Sequence, residues 1–197
     1  MFMEKSDVEA SDGALIAAFV RGDERAFEQL YGRYKRQLYG FLNNLIANNP
    51  AEVDEVFEET WLRVLEKLPR YRDEGRFSAW LFRIGRNIFI DRIRRNRNAA
   101  AALELDTEEA PQVAGPAAME PDQELELGEV GDVIAQAVER LPIEQREVFL
   151  LRQQELAFKE IAEIQGCSIN TVLGRMQYAM KSLRRLILEI DRGGIVT

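Results

Sequence analysis

The apolar positions of this 197-residue chain recur at intervals of three and four, the period of an amphipathic helix, and nowhere alternate as in a strand. Ser11 or Asp12 can cap a first helix carrying Leu15, Ile16, Phe19 and Val20, which Gly22-Asp23 breaks. A longer helix follows, with Phe27, Leu30, Tyr31, Tyr34, Leu38 and Phe41 on one side. Asn48-Asn49-Pro50 is a turn signal. The next helix is predicted from about Ala51 to Leu68. It turns Val53, Val56, Phe57, Thr60, Val64, Leu65 and Leu68 inward, and Glu55, Glu58, Glu59, Leu62 and Glu66 outward. Residues 69–78 then form a loop.

The stretch YRDEGRFSAWLFRIGRNIFIDRIRRNR, from Tyr71 to Arg97, departs from an ordinary amphipathic pattern. At about 100° per residue, Phe77, Leu81, Ile84 and Ile88 share one face. Arg83, Arg86, Asn87, Ile90, Arg94 and Arg97 share the opposite one, with Trp80 at its border. Phosphates need cations and unstacked bases need a flat apolar partner, so this combination suits nucleic acid. A solvated basic face on a structural helix has the same pattern.

Past the middle of the chain a helix is predicted over about Gln123–Arg140, ending at Leu141-Pro142, and another carries Val148, Phe149, Leu150 and Leu151. Two short elements follow a turn near Glu155. In them Ala162, Gly166 and Val172 stand in a helix-turn-helix relation: a small residue where helices cross, a glycine for the turn, an anchor on the second helix. Ile161 and Met176 add packing. Asn170, Thr171, Leu173, Gly174, Gln177, Tyr178 and Lys181 are left on the outer face, where a recognition helix meets a major groove. A plain αα-hairpin can show the same spacing, and Gln165 stands where such motifs usually place an apolar residue.

Composition narrows the function classes. The chain has no histidine, so no His-dependent triad or zinc site is available, which argues against an enzyme. The lone Cys167 can form no internal disulfide, which suits a reducing cytoplasm. No apolar run approaches the roughly 20 residues of a membrane span, and the N-terminal residues lack the order of a signal peptide.

The net charge of −8 seems hostile to nucleic acid until it is divided along the chain. From Asn98 to Glu139 there are eleven acids and no Lys or Arg, which leaves +3 for the rest. Residues 99–121, rich in Ala, Pro and acid, read as a flexible or extended linker. The expected fold is therefore all-α: a helical domain over 1–97, a flexible acidic linker over 98–127, and a second small helical domain with the helix-turn-helix over 128–197.

Several linked motifs in this order resemble the extracytoplasmic-function (ECF) group of bacterial RNA polymerase sigma factors, over about residues 12–97 and 128–188. LIAAFVRGDERAFEQLYGRYKRQLYGF resembles the family's opening helices, and VDEVFEETWLRVLEKL its acidic helix that docks on the polymerase clamp. FSAWLFRIGRNIFIDRIRR resembles the promoter-melting segment, and LPIEQREVFLLRQQELAFKEIAEIQGCSINTVLGRM the domain that reads the −35 box.

The resemblance implies a non-enzymatic initiation factor that directs core polymerase to promoters and helps to melt the −10 region. Asp54, Glu55, Glu58, Glu59 and Leu62 would contact the clamp. Tyr71, Arg72, Asp73, Arg76, Phe77, Ser78, Trp80, Arg83, Asn87 and Arg94 would hold −10 DNA. Asn170, Thr171, Leu173, Gly174, Arg175, Gln177, Tyr178 and Lys181 would read the −35 duplex. The implied partners are core RNA polymerase (the β′ clamp and β subunits), promoter DNA and an anti-sigma factor. No cofactor, metal or membrane insertion is implied.

The departures from the family pattern are specific. Glu58 stands where Gln is usual, which would make that contact ionic. Leu173 and Gly174 replace a common Lys and Ser, and Tyr178 and Met180 fall where Arg is frequent. A stand-alone helix-turn-helix regulator is the competing reading. It gives no reason for the acidic helix or for the aromatic–basic one.

Overall fold

The computed structural model describes residues 10–47, 49–72, 74–104 and 129–193, of which 99–104, 129–130 and 191–193 are described by backbone alone. Asn48 of the expected turn, Asp73 of the expected loop and the linker beyond Glu104 lie outside them, as does Gln123–Gly128 of the helix expected next. The described elements are all helical: α1 (Asp12–Val20), α2 (Glu24–Ile46), α3 (Pro50–Lys67), a 3-10 turn (Leu68–Arg70), α4 (Phe77–Glu104), α5 (Glu129–Glu139), α6 (Ile143–Gln153), α7 (Phe158–Gln165) and α8 (Ile169–Gly193). α4 runs seven residues beyond the expected domain end at Arg97. Its last turns are AAAALE, and alanine is the strongest helix former.

Local chemistry fixes where the helices begin. Ser11 caps α1 by accepting the Ala14 amide at 3.3 Å, which frees Asp12 to bind Arg33 and Tyr34 of α2. Burial, followed by the Asp12 hydrogen bond, pushes the Tyr34 hydroxyl well above its usual range. Asn49 caps α3 through the Glu52 amide at 3.3 Å, with Pro50 in the first turn, where its missing N–H costs nothing.

α1–α4 form the first lobe. Leu30, Leu38, Phe41 and Leu42 of α2 face Val53, Val56 and Val64 of α3 and Leu81, Phe82 and Ile88 of α4, all essentially buried. Each such side chain contributes about 1.5–3 kcal/mol by leaving water. Phe41 and Phe82 meet edge to face at 5.2 Å, a favoured geometry for ring quadrupoles. Trp61 also belongs to this core, 5% exposed, with Tyr31 at 4.8 Å and Phe27 at 5.9 Å. Where α4 crosses α2 and α3, a Cβ at Gly85 would lie 3.2 Å from Thr60 Oγ1 and 3.4 Å from Leu38 Cδ1. Glycine is what permits that approach.

α5–α8 form the second lobe around Ala137, Val138, Val148, Leu151, Ile161, Val172 and Ala179. The two lobes pack on each other, α6 and α5 against α2, and α7 against α4. Their buried apolar residues form one contiguous cluster. Helical periodicity says nothing of this closure, because it marks which face is buried and not what buries it.

Candidate functional site

The acidic face of α3 is two stripes with different fates. Asp54, Glu58 and Leu62 repeat every fourth residue and face solvent, and Leu62 is 66% exposed, unusual for leucine. Asp54 accepts the Tyr39 hydroxyl at 2.9 Å. The neighbouring stripe is engaged within the lobe. Arg92 of α4 donates to Glu55 at 2.5 Å and to Glu59 at 2.9 Å, and Arg63 donates to Glu59 at 2.7 Å. The Arg92 hydrogen bond, ahead of the nearby positive charges, holds the Glu59 carboxyl below the usual carboxylate range. Sequence reasoning missed Arg92, because its partners lie 33 and 37 residues away.

Around the start of α4 the structure brings most of the expected −10 residues together. Tyr71 and Trp80 lie ring against ring at 4.4 Å, with Phe77 at 5.9 Å from the first and 5.7 Å from the second. Phe77 differs from its expected neighbours in burial. It is 1% exposed and packs on Tyr34 at 5.3 Å, so it supports the platform from beneath. Its place on the apolar stripe with Leu81, Ile84 and Ile88 already pointed there. Arg72, Arg83 and Arg94 are exposed, while Ser78, Trp80 and Asn87 are half-buried. Asn87 accepts from Arg86 at 3.4 Å.

Tyr71, Arg72, Arg76, Trp80 and Arg83 line a cleft of about 170 Å³ whose far wall is Glu160, Glu163 and Ile164 of α7. Arg76 donates across it to Glu163 at 3.2 Å and back to Glu74 at 3.1 Å.

In the second lobe the helix-turn-helix geometry is present. Gly166 has φ +64, the left-handed conformation that closes α7. Ser168 then caps α8 by accepting the Thr171 amide at 3.1 Å. Val172 is fully buried on Ile161 and Ala162, as the spacing predicts. Asn170, Thr171, Leu173, Gln177, Tyr178 and Lys181 face solvent, and Gly174 is half-buried.

Arg175 is engaged within its own lobe. It turns inward, donating to Gln165 at 2.8 Å and lying 3.6 Å from Cys167 Sγ. Gln165, the residue that breaks the apolar pattern, also donates to Glu147 of α6 at 2.7 Å. Glu147 receives Arg86 of α4 at 3.1 Å while itself only 1% exposed. A polar chain thus runs Arg86–Glu147–Gln165–Arg175 across the lobe boundary.

Among the described residues no group of His, Cys, Asp and Glu could hold a metal ion, and no helix is long and apolar enough to cross a membrane.

Residues 30–99 match the Sigma-70 region 2 family and residues 132–183 match Sigma-70 region 4. The chain is 31% identical to the ECF RNA polymerase sigma factor SigM of Mycobacterium tuberculosis, over 94% of this chain and 89% of that protein. It is 27% identical to SigW of Bacillus subtilis, over 86% of this chain and 93% of that one. The solved structure of CnrH in complex with the cytosolic domain of CnrY superposes with a TM-score of 0.64 at 28% identity, covering 92% of this chain and 99% of that one. Another of the same fold, the sigma factor RpoE bound to the anti-sigma factor NepR from Bartonella quintana, gives 0.68 at 23% identity, over 84% and 98%. With two sigma-70 regions in order and a relative above 30% identity along nearly its whole length, the chain belongs to the ECF group of sigma-70 RNA polymerase sigma factors, which are transcription initiation factors and not enzymes.

Proposed function

We propose that the chain binds core RNA polymerase through the outer stripe of α3, carries it to specific promoters through α8, and captures −10 bases at the Tyr71–Trp80 platform. The observation that carries this reading is the joint presence of two unlike surfaces. An aromatic and arginine-lined cleft suits an unstacked strand, and a capped helix with a polar outer face suits a duplex groove. Ordinary operator binding needs only the second.

Within this reading Asp54, Glu58 and Leu62 meet the polymerase clamp, while Glu55 and Glu59 act through Arg92 to hold the stripe in place. Tyr71, Trp80, Arg72, Arg76, Arg83, Asn87 and Arg94 serve the −10 strand, with Phe77 beneath them, and Asp73 and Ser78 serve it with them. Asn170, Thr171, Leu173, Gly174, Gln177, Tyr178 and Lys181 serve the −35 duplex, and Arg175 braces the turn. The first domain takes in α4 to Glu104, the second begins near α5, and the acidic stretch between them is the linker. The chain works in the cytoplasm and is restrained there by an anti-sigma factor. The structures of CnrH with CnrY and RpoE with NepR support that partner class.

Run-off transcription with core polymerase over a genomic promoter library tests the reading. Transcripts from a defined promoter set, dependent on both chain and core, are expected. Nanomolar, sequence-specific duplex binding without polymerase, and no such transcripts, would support the stand-alone regulator instead.

A further inference from the structure

Phe77, buried beneath the platform, meets Tyr71 at 5.9 Å, Trp80 at 5.7 Å and, from α2, Tyr34 at 5.3 Å. Tyr34 is held at its hydroxyl by Asp12, the first residue of α1, which accepts the hydrogen bond. Asp12 is free for this because Ser11 caps the helix. The same carboxylate receives Arg33, which also donates to the Ala10 carbonyl at 2.8 Å. α1 packs as well on the 3-10 turn Leu68–Arg70, which leads directly into Tyr71. Both rings of the platform thus trace back to α1: Tyr71 through the turn, and Trp80 through Phe77 and Tyr34.

This link is not what keeps α1 on the lobe. Leu15 and Ile16 are buried in the core and do that. Apolar burial is non-directional, whereas a hydrogen bond from a hydroxyl to a carboxylate fixes a distance and an angle.

We propose that Asp12 and Tyr34 are positioning residues for base capture: α1, which carries none of the residues assigned to the −10 strand, sets through Tyr34 and Phe77 where the Tyr71–Trp80 rings stand. This rests on the reading of that platform given above. A base that stacks must find its ring at the right height and tilt, and a small misplacement is costly even when its cause lies at a distance.

The test uses the full chain grown with 5-fluorotryptophan, which gives separate fluorine resonances for Trp61 and Trp80, assigned with Trp80→Phe. Three variants divide the cluster. Asp12→Ala removes the acceptor from both partners. Asp12→Asn keeps an oxygen for the Tyr34 hydroxyl but no charge for Arg33. Arg33→Ala removes the ion pair and leaves the Tyr34 link. Promoter opening by each chain with core polymerase is followed by permanganate reactivity, and closed-complex affinity by gel shift.

Asp12→Ala is expected to shift and broaden the Trp80 resonance and to slow opening about three- to tenfold, with closed-complex affinity unchanged. Asp12→Asn should recover most of both losses. Arg33→Ala should lower the melting temperature and leave Trp80 and opening as in the parent. An unmoved Trp80 resonance in Asp12→Ala overturns the proposal, as does an Asp12→Asn or Arg33→Ala chain with the same opening defect. If circular dichroism shows Asp12→Ala unfolded, Tyr34→Phe takes its place, since it keeps the ring and deletes only the hydroxyl. It must move the same resonance, and failure to do so is equally decisive. The fluorine spectrum is read on the chain without polymerase. A parent that opens promoters while Trp80 ignores Asp12 therefore overturns only the positioning role, and a responsive Trp80 in a chain that opens no promoter overturns only the reading of function.

Discussion

Trp80 lies over Tyr71 with ring centroids 4.4 Å apart and planes tilted by 38°. The pair stands at the mouth of the loop before α4, with the buried Phe77 beneath it. A half-buried indole with one face on a neighbour and an edge toward a cleft can accept a base. Trp80→Ala is expected to slow promoter opening about 10- to 100-fold, since base–aromatic stacking contributes about 1–3 kcal/mol per base. Closed-complex formation should change little, and a template with a pre-melted bubble should recover most of the loss. Permanganate reactivity against gel-shift affinity separates the two steps. Equal loss in both would mean that Trp80 serves only the fold.

Glu58 and Glu59 are adjacent in sequence and opposite in consequence. Glu58→Arg changes an exposed residue on the outer stripe. It should shift stability by about 0.5 kcal/mol or less while lowering polymerase affinity at least tenfold. Glu59→Arg instead sets a third cation beside Arg92 and Arg63, so its melting temperature should fall clearly. Thermal melts and fluorescence titration with core enzyme give both quantities for each variant. A Glu58→Arg chain that still co-purifies with polymerase would remove that stripe from the clamp contact.

The Glu59–Arg92 pair also sets a pH dependence. The Arg92 hydrogen bond depresses the Glu59 carboxyl in the folded state. Its stabilisation is thus fully present above the unfolded carboxylate value and is lost as pH falls through the lower, folded one. Between pH 5 and 3 the parent should lose melting temperature faster than Arg92→Gln, whose Glu59 keeps only the Arg63 contact. Parallel curves for the two chains would show that the pair contributes nothing over that range.

In the recognition helix, Arg175 and Gln177 should behave differently. Arg175→Ala removes the brace on Gln165 and is expected to lower stability by about 1 kcal/mol, with the preferred −35 sequence unchanged. Gln177→Ala leaves stability alone and relaxes that preference. Selection of −35 sequences from a randomised promoter pool, together with melting curves, checks both. A changed sequence preference with Arg175→Ala would return that side chain to the DNA.

Gly166→Ala places a Cβ at φ +64. It should cost about 1–2 kcal/mol, the penalty of a left-handed conformation for an L-residue, although nothing lies within 4 Å to clash. The melting temperature of the full chain reads this directly.

What the sequence made legible is what depends on near neighbours. Ser11, Asn49-Pro50 and Gly166 act within a turn of their position, and the three-four spacing of Leu30, Leu38 and Phe41 names a buried face without naming its partner. What stayed illegible is the choice of partner. Arg92 reaches back to α3, Arg86 reaches forward 61 residues to Glu147, and Arg175 folds onto Gln165 instead of pointing outward. Phe77 shows a different limit: an aromatic beside arginines looks like a base-stacking residue, and only its place on the stripe with Leu81 and Ile84 marks it as core. Trp61 escaped notice because α3 has a full apolar face without it.

The contact of Gly85 with Thr60 has a mechanical consequence. Thr60 sits fully buried on α3, its hydroxyl tied to the Val56 carbonyl at 2.6 Å, and the α4 backbone at Gly85 leaves no slack against it. With Arg92 riveting the same two helices farther along, neither can slide on the other. A push on the outer stripe of α3 is therefore expected to carry the arginines of α4 with it, the two helices turning together.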